Sequence, residues 1–164
     1  MTPAAIIRRQ LDEIATMVMA ADQAVYTSRP IAVSGTIGEH VRHCLDHIAA
    51  LVGSTPSQPL SYDRRERRTA VEWDPAEGLR QIMRLQASLE RWGSRSMDDP
   101  ICVTSLVTPA GESVTGWSTL GRELAFVNSH TIHHHALIAV LLELSDVPVP
   151  DYLGLAPSTP RRAV

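Results

Sequence analysis

GEHVRHCLDH (residues 38–47) and NSHTIHHHAL (residues 128–137) contain all seven histidines of the chain. Within them His40, His43 and His47 are spaced by three and four, and His130 and His134 by four. Such spacings put side chains on one face of an α-helix. The apolar residues around them keep the same period: Ile37, Val41, Cys44, Ile48 and Leu51 in the first stretch, and Leu120, Leu124, Val127, Thr131, His134, Ile138 and Leu141 in the second. Two amphipathic helices that each carry a histidine stripe can bring several imidazoles to one point, which is how a helical bundle builds a metal site.

Two further helices are expected. Thr2 and Pro3 are a start signal, and Ile7, Leu11, Ile14, Val18, Ala21 and Val25 continue at helical spacing, predicting a helix over 2–27. Asp74-Pro75-Ala76-Glu77 has the pattern of a capping box with proline at the first helical position, predicting a helix over 74–93. The histidine stretches predict helices over 36–52 and 119–145. Between the last two helices, ICVTSLV and ESVTGWS flank a Thr-Pro-Ala-Gly turn and are rich in β-branched residues, so a small β-hairpin is expected. The reading is all-α: a four-helix bundle with a hairpin-like insertion, forming one domain over 1–164. A proline-rich tail, 146–164, is expected to be extended, either draped on the bundle or disordered, and its segment Gly154–Pro160 to be a docked or loose terminus or a cover over the bundle mouth.

Composition narrows the function classes. A length of 164 residues suffices for a real core, and with only 4% aromatic residues that core must be aliphatic. A net charge of −3 argues against a nucleic-acid binder. All 15 basic residues are arginine, which removes a P-loop lysine or Schiff-base lysine from consideration. Cys44 and Cys102 form no CxxC pair, so neither a disulfide framework nor a zinc–thiolate knuckle is expected. Charge appears by Arg8, and no run approaches the ~20 apolar residues that span a bilayer, so a soluble cytoplasmic protein is expected.

His130 and His134 share one face, His133 lies about 60° to one side, and His135 lies outside the pair. On the partner helix, His40, His43 and His47 fall within one arc, and spacing alone does not choose among them. Neutral imidazoles suit zinc, nickel, iron or copper, and three of them leave a coordination position open. Glu39, Asp46 and Glu123 are candidates to hold an imidazole N–H from outside the site. Four arginines in five positions, Arg64, Arg65, Arg67 and Arg68, follow Tyr62. Arg64, Arg68 and Tyr62 are candidate substrate-binding residues, beside the plainer reading of a solvated loop. Tyr62, Trp73 and Trp117 are candidate pocket aromatics.

TIGEHVRHCLDH (residues 36–47) and ELAFVNSHTIHHHALI (residues 123–138) resemble two motifs of the DinB-like superfamily of bacterial four-helix-bundle proteins. The first is Ser/Thr-Ile-Gly, four residues and a ligand histidine; the second is a histidine followed four residues later by the second of two adjacent histidines. The resemblance implies His43, His130 and His134 as metal ligands, with His47 an alternate or an outer-sphere group and His40, His133 and His135 bystanders. His135-Ala136-Leu137 stands where family members often have Arg-Gly-Gln. The resemblance further implies an up-down-down-up bundle, one divalent metal ion (zinc or nickel), a homodimer and a small-molecule substrate. Some members use bacillithiol, mycothiol or glutathione. The expected activity is therefore metal-dependent activation of a low-molecular-weight thiol, of S-transferase or isomerase type. A non-catalytic metal-binding bundle is the alternative.

Overall fold

The computed structural model describes residues 1–55, 57–93 and 95–159. It is mostly helical, with one two-stranded antiparallel sheet. The long helices are α1 (Pro3–Ala20), α3 (Ile37–Val52), α4 (Pro75–Leu89) and α5 (Leu120–Glu143), and a short α2 (Gln23–Thr27) follows α1. Helix α1 packs on α4 and α5, and α3 packs on the same two, so the four long helices close a ring. Its interior is aliphatic. Ile7, Leu11 and Ile14 of α1, Val41, Cys44 and Ile48 of α3, Ile82 of α4, and Leu124, Val127 and Ile138 of α5 are all buried.

The expected helix over 2–27 is broken. Ala21 is extended, and Asp22 starts α2 by accepting the Val25 N–H on its side chain at 2.8 Å. An aspartate that caps competes with helix continuation. Tyr26 of α2, fully buried, takes the core position expected of Val25, and its hydroxyl donates to the Val71 carbonyl at 2.8 Å. The helix over 74–93 ends earlier as well. After Leu89 it tightens into a 3₁₀ turn (Glu90–Trp92) and stops at Gly93, whose φ is +48°.

Asp74 caps α4, but Glu77 turns to Arg80 and Arg84 rather than back to the cap. The complete capping box lies at α3, where Thr36 Oγ1 accepts from the Glu39 N–H and Glu39 Oε2 accepts from the Thr36 N–H. The α3 start that sets the register of His40, His43 and His47 is therefore fixed at both ends of the box.

Strands β1 (Pro100–Leu106) and β2 (Ser113–Thr119) form the expected hairpin, with Ile101 paired to Ser118 and Thr104 to Thr115. Leu60 adds a parallel bridge on β1: its N–H donates to the Cys102 carbonyl and its carbonyl accepts from the Thr104 N–H, both at 2.8 Å. That bridge, with the Leu106 N–H donating to Asp63 at 2.8 Å, ties the segment around Tyr62 to the hairpin. The tail docks on α5 with Gly154 against Ala136, at a φ of +76°; a Cβ there would lie 2.5 Å from the Ala136 Cα. It borders a cavity lined by Gln10, Glu13 and His135, away from the other histidines. Pro160 and the residues after it lie outside the described residues. Among the described residues no helix is long and apolar enough to cross a membrane.

Candidate metal centre

Five imidazoles meet between α3 and α5. His43, His130 and His134 form a near-equilateral triangle, with ring centres 4.6 to 4.8 Å apart. His47 stacks on His130 at 4.1 Å. Nitrogens of His43, His47 and His130 lie within 4.8 Å of one another, a grouping able to hold a metal ion. Nε2 of His43 and Nε2 of His130 are 2.9 Å apart. His40, expected to be a bystander, is in contact: its Nδ1 lies 3.0 Å from Nδ1 of His134. His133 is exposed, with its ring 5.3 Å from that of His134.

Neighbouring groups fix the protonation pattern. Nδ1 of His47 lies 3.0 Å from the His43 carbonyl. A carbonyl only accepts, so that nitrogen carries the proton and Nε2 keeps its lone pair. Nδ1 of His43 accepts from the Arg65 guanidinium at 2.6 Å, so its Nε2 carries the proton and donates to His130.

Burial, the largest cause, and then the neighbouring imidazoles lower these groups far below the ordinary histidine value: His43 to about 2, His134 to about 3 and His130 to about 4. His40 and His47 are also lowered, chiefly by burial. Neutral imidazoles with free lone pairs are the form that binds a divalent cation. In the metal-free protein, the unfolded chain takes up protons below about pH 6.5 that the folded one refuses. Stability is therefore full above that pH and falls as pH drops toward the folded values. The melting temperature is expected to be flat above pH 7 and to decline between pH 6.5 and 5, where carboxylates remain ionised. His43→Ala should flatten that slope, and an unchanged slope in this variant would contradict the assignment.

The surrounding groups differ from expectation. The buried position in α5 belongs to His135, with no exposed surface, whereas His134 is half-buried. His135 points to α1, with Nδ1 3.4 Å from Glu13 Oε2. Sequence reasoning left Glu13 unremarked; its only local signal is a position flanking the α1 seam. None of the three acidic candidates holds an imidazole N–H. Glu39 caps α3 and pairs with Arg29, Asp46 pairs with Arg42, and Glu123 accepts from Tyr62 at 3.0 Å and Ser118 at 2.7 Å.

Tyr62 is a wall of the site: its ring lies parallel to His47 at 5.3 Å and tilts against Phe126. Burial first, then Glu123, raises its phenol well above the ordinary value, so it stays a donor. Arg68 and Arg67 border a cavity of about 440 Å³ with His40, His43 and His134, whereas Arg64 borders a different one beside Leu45 and Gln81. Trp73 and Trp117 are 50% and 77% exposed and do not reach the imidazoles. The Cys44 thiol is fully buried, which pushes its pKa far up and leaves it unreactive.

A closed ring of helices with imidazoles converging from two of them defines a helical-bundle protein whose centre has the donors of a metal site. The chain belongs to the DinB superfamily, whose family model matches residues 6–138. It is also 34% identical over 108 residues to a Rhizopus delemar protein called FK506-binding protein 5. That match takes in 65% of this chain but only 28% of the fungal protein. No solved structure matches.

Proposed function

We propose that the protein is a divalent-metal-dependent enzyme of the DinB superfamily, acting on a small-molecule electrophile with a low-molecular-weight thiol. In this reading one zinc or nickel ion is held by His43, His130 and His134, with His47 within reach as an alternate. The observation that carries it is the convergence of neutral imidazoles between α3 and α5, centred on the contact between His43 and His130. The donor set fits: three or four nitrogens, no thiolate, and a position left open.

When bound, such an ion lowers the pKa of a coordinated thiol so that it is a thiolate at neutral pH. The chain supplies the rest. Tyr62 and Phe126 shield the His47 and His130 side of the site from water, and the Glu123 carboxylate holds the Tyr62 hydroxyl in place. An up-down-down-up bundle that assembles as a homodimer belongs to the same reading.

Two variants separate the ligand sets. His134→Ala is expected to lose bound metal, and His47→Ala to keep it with weaker retention against a chelator. The reverse result would make His47 the third ligand. Turnover of a generic electrophile with bacillithiol, mycothiol or glutathione tests the activity. Chelator-induced loss of melting temperature, without turnover by any thiol, would instead favour a bundle that binds metal for stability.

A further inference from the structure

The cavity beside His40, His43 and His134 has an unbalanced charge. Two carboxylates border it, and both are engaged. Glu39 pairs with Arg29 at 2.5 Å and accepts the Thr36 N–H; Glu72 pairs with Arg42 at 2.7 Å and accepts the Arg68 N–H at 2.9 Å. Arg42 is taken by Glu72 and Asp46. Arg67 and Arg68 also border the cavity, and among the described residues neither guanidinium has a carboxylate within ion-pair distance. Arg68 reaches this place from a left-handed backbone, φ +60°, that non-glycine residues rarely adopt.

Arg65 adds a second observation. Its guanidinium, half-buried, donates to the neutral His43 ring at 2.6 Å rather than to an acid. A cation taking Nδ1 of His43 would displace Arg65 outright. A cation taking Nε2 would move the ring proton to Nδ1 and set one donor against another. Either way loading His43 releases a guanidinium beside a new positive charge. Planar guanidinium forks match the oxygens of carboxylates and phosphates.

We propose that Arg67 and Arg68, joined by Arg65 when a cation takes His43, receive the oxyanion group of a ligand bound beside the histidine cluster. The ligand class is a small molecule carrying a carboxylate or a phosphate. The part played by Arg65 rests on the metal reading above; the part of Arg67 and Arg68 does not. Because the cation frees a receptor for the anion, each should tighten the other's binding by the same factor.

Zinc affinity is measured by chelator competition in chloride and in sulfate at equal ionic strength. Sulfate is expected to tighten zinc binding of the wild type roughly fivefold or more. The double variant R67Q/R68Q should lose the effect, and R65Q should bind zinc more tightly in chloride while gaining less from sulfate. Arg64→Gln removes a charge from the same loop; Arg64 lines the neighbouring cavity, as Arg65 does, but unlike Arg65 makes no hydrogen bond to His43, so its response should match the wild type. Succinate in place of sulfate distinguishes the sources: a larger effect assigns a carboxylate, a smaller one a phosphate.

Zinc affinity indifferent to both anions overturns the inference, as does an R67Q/R68Q protein that responds like the wild type. If zinc does not bind at all, the metal reading fails. The side-chain Nε–H signals of the metal-free protein then decide: shifts of Arg67 and Arg68 on adding sulfate support the receptor, and their absence overturns it.

Discussion

Replacing His130 with alanine is expected to strip the protein of its divalent cation while leaving the fold in place. His130 sits where the imidazoles converge: 2.9 Å from His43 through Nε2, stacked on His47, and 4.7 Å between ring centres from His134. Either proposed ligand set includes it, so the result does not depend on which residue is third. Changing groups that merely support a ligand costs about 10- to 100-fold in metal affinity, so losing a ligand should cost more than about 100-fold. His130 is half-buried and lies outside the aliphatic interior, so the helical circular dichroism should be unchanged. Elemental analysis of protein purified without a histidine tag makes the measurement. Full metal occupancy in His130→Ala would remove the centre from this part of the molecule.

The helical reading was most legible in the two histidine stretches, where one apolar period runs without interruption. In the first of them the period of Ile37, Val41, Cys44, Ile48 and Leu51 predicts 36–52, and α3 spans Ile37–Val52. What failed depended on contacts remote in sequence. Spacings of three and four are both helical, so the step from Thr131 leads equally well to His134 or His135. Packing against Glu13, more than a hundred residues away, gives the buried place to His135. The break at Ala21 was hidden because Val25 prolongs the period of α1, while the burial of Tyr26 needs Val71 to accept its hydroxyl. Likewise the Tyr62 ring reaches His47 because Leu60 is bridged to β1, a pairing with no local signature. The histidine clusters were legible as a site because their helical spacing is local. The roles of Arg65 and His40 were not, since each follows from how separate elements meet.

Gly38→Ala is expected to be strongly destabilising for the addition of a single methyl group. Gly38 lies in the first turn of α3, and its hydrogen faces the 3₁₀ turn Ala70–Glu72. A Cβ there would stand 2.1 Å from the Glu72 carbonyl oxygen and 2.6 Å from a ring carbon of Tyr26. The first obstacle is backbone and the second a buried ring, so neither can swing aside. Overpacking of this kind costs about 1–3 kcal/mol and occasionally more. The same substitution should gain up to about 1 kcal/mol from helix propensity. The contact is far inside normal separation, so the cost is expected to prevail, leaving a net loss of about 2 kcal/mol or more. The damage should also reach the site, because the segment that must retreat carries Glu72, which holds Arg42 and the Arg68 N–H. Urea unfolding measures the loss. Gly116→Ala on β2 is the control, since a Cβ there meets nothing within 4 Å; its unfolding free energy should stay within about 0.5 kcal/mol of the wild type. A Gly38→Ala protein as stable as the wild type would mean that α3 and the 3₁₀ turn do not pack this closely. The loop that carries Arg65, Arg67 and Arg68 would then lose the support that holds it against the histidines.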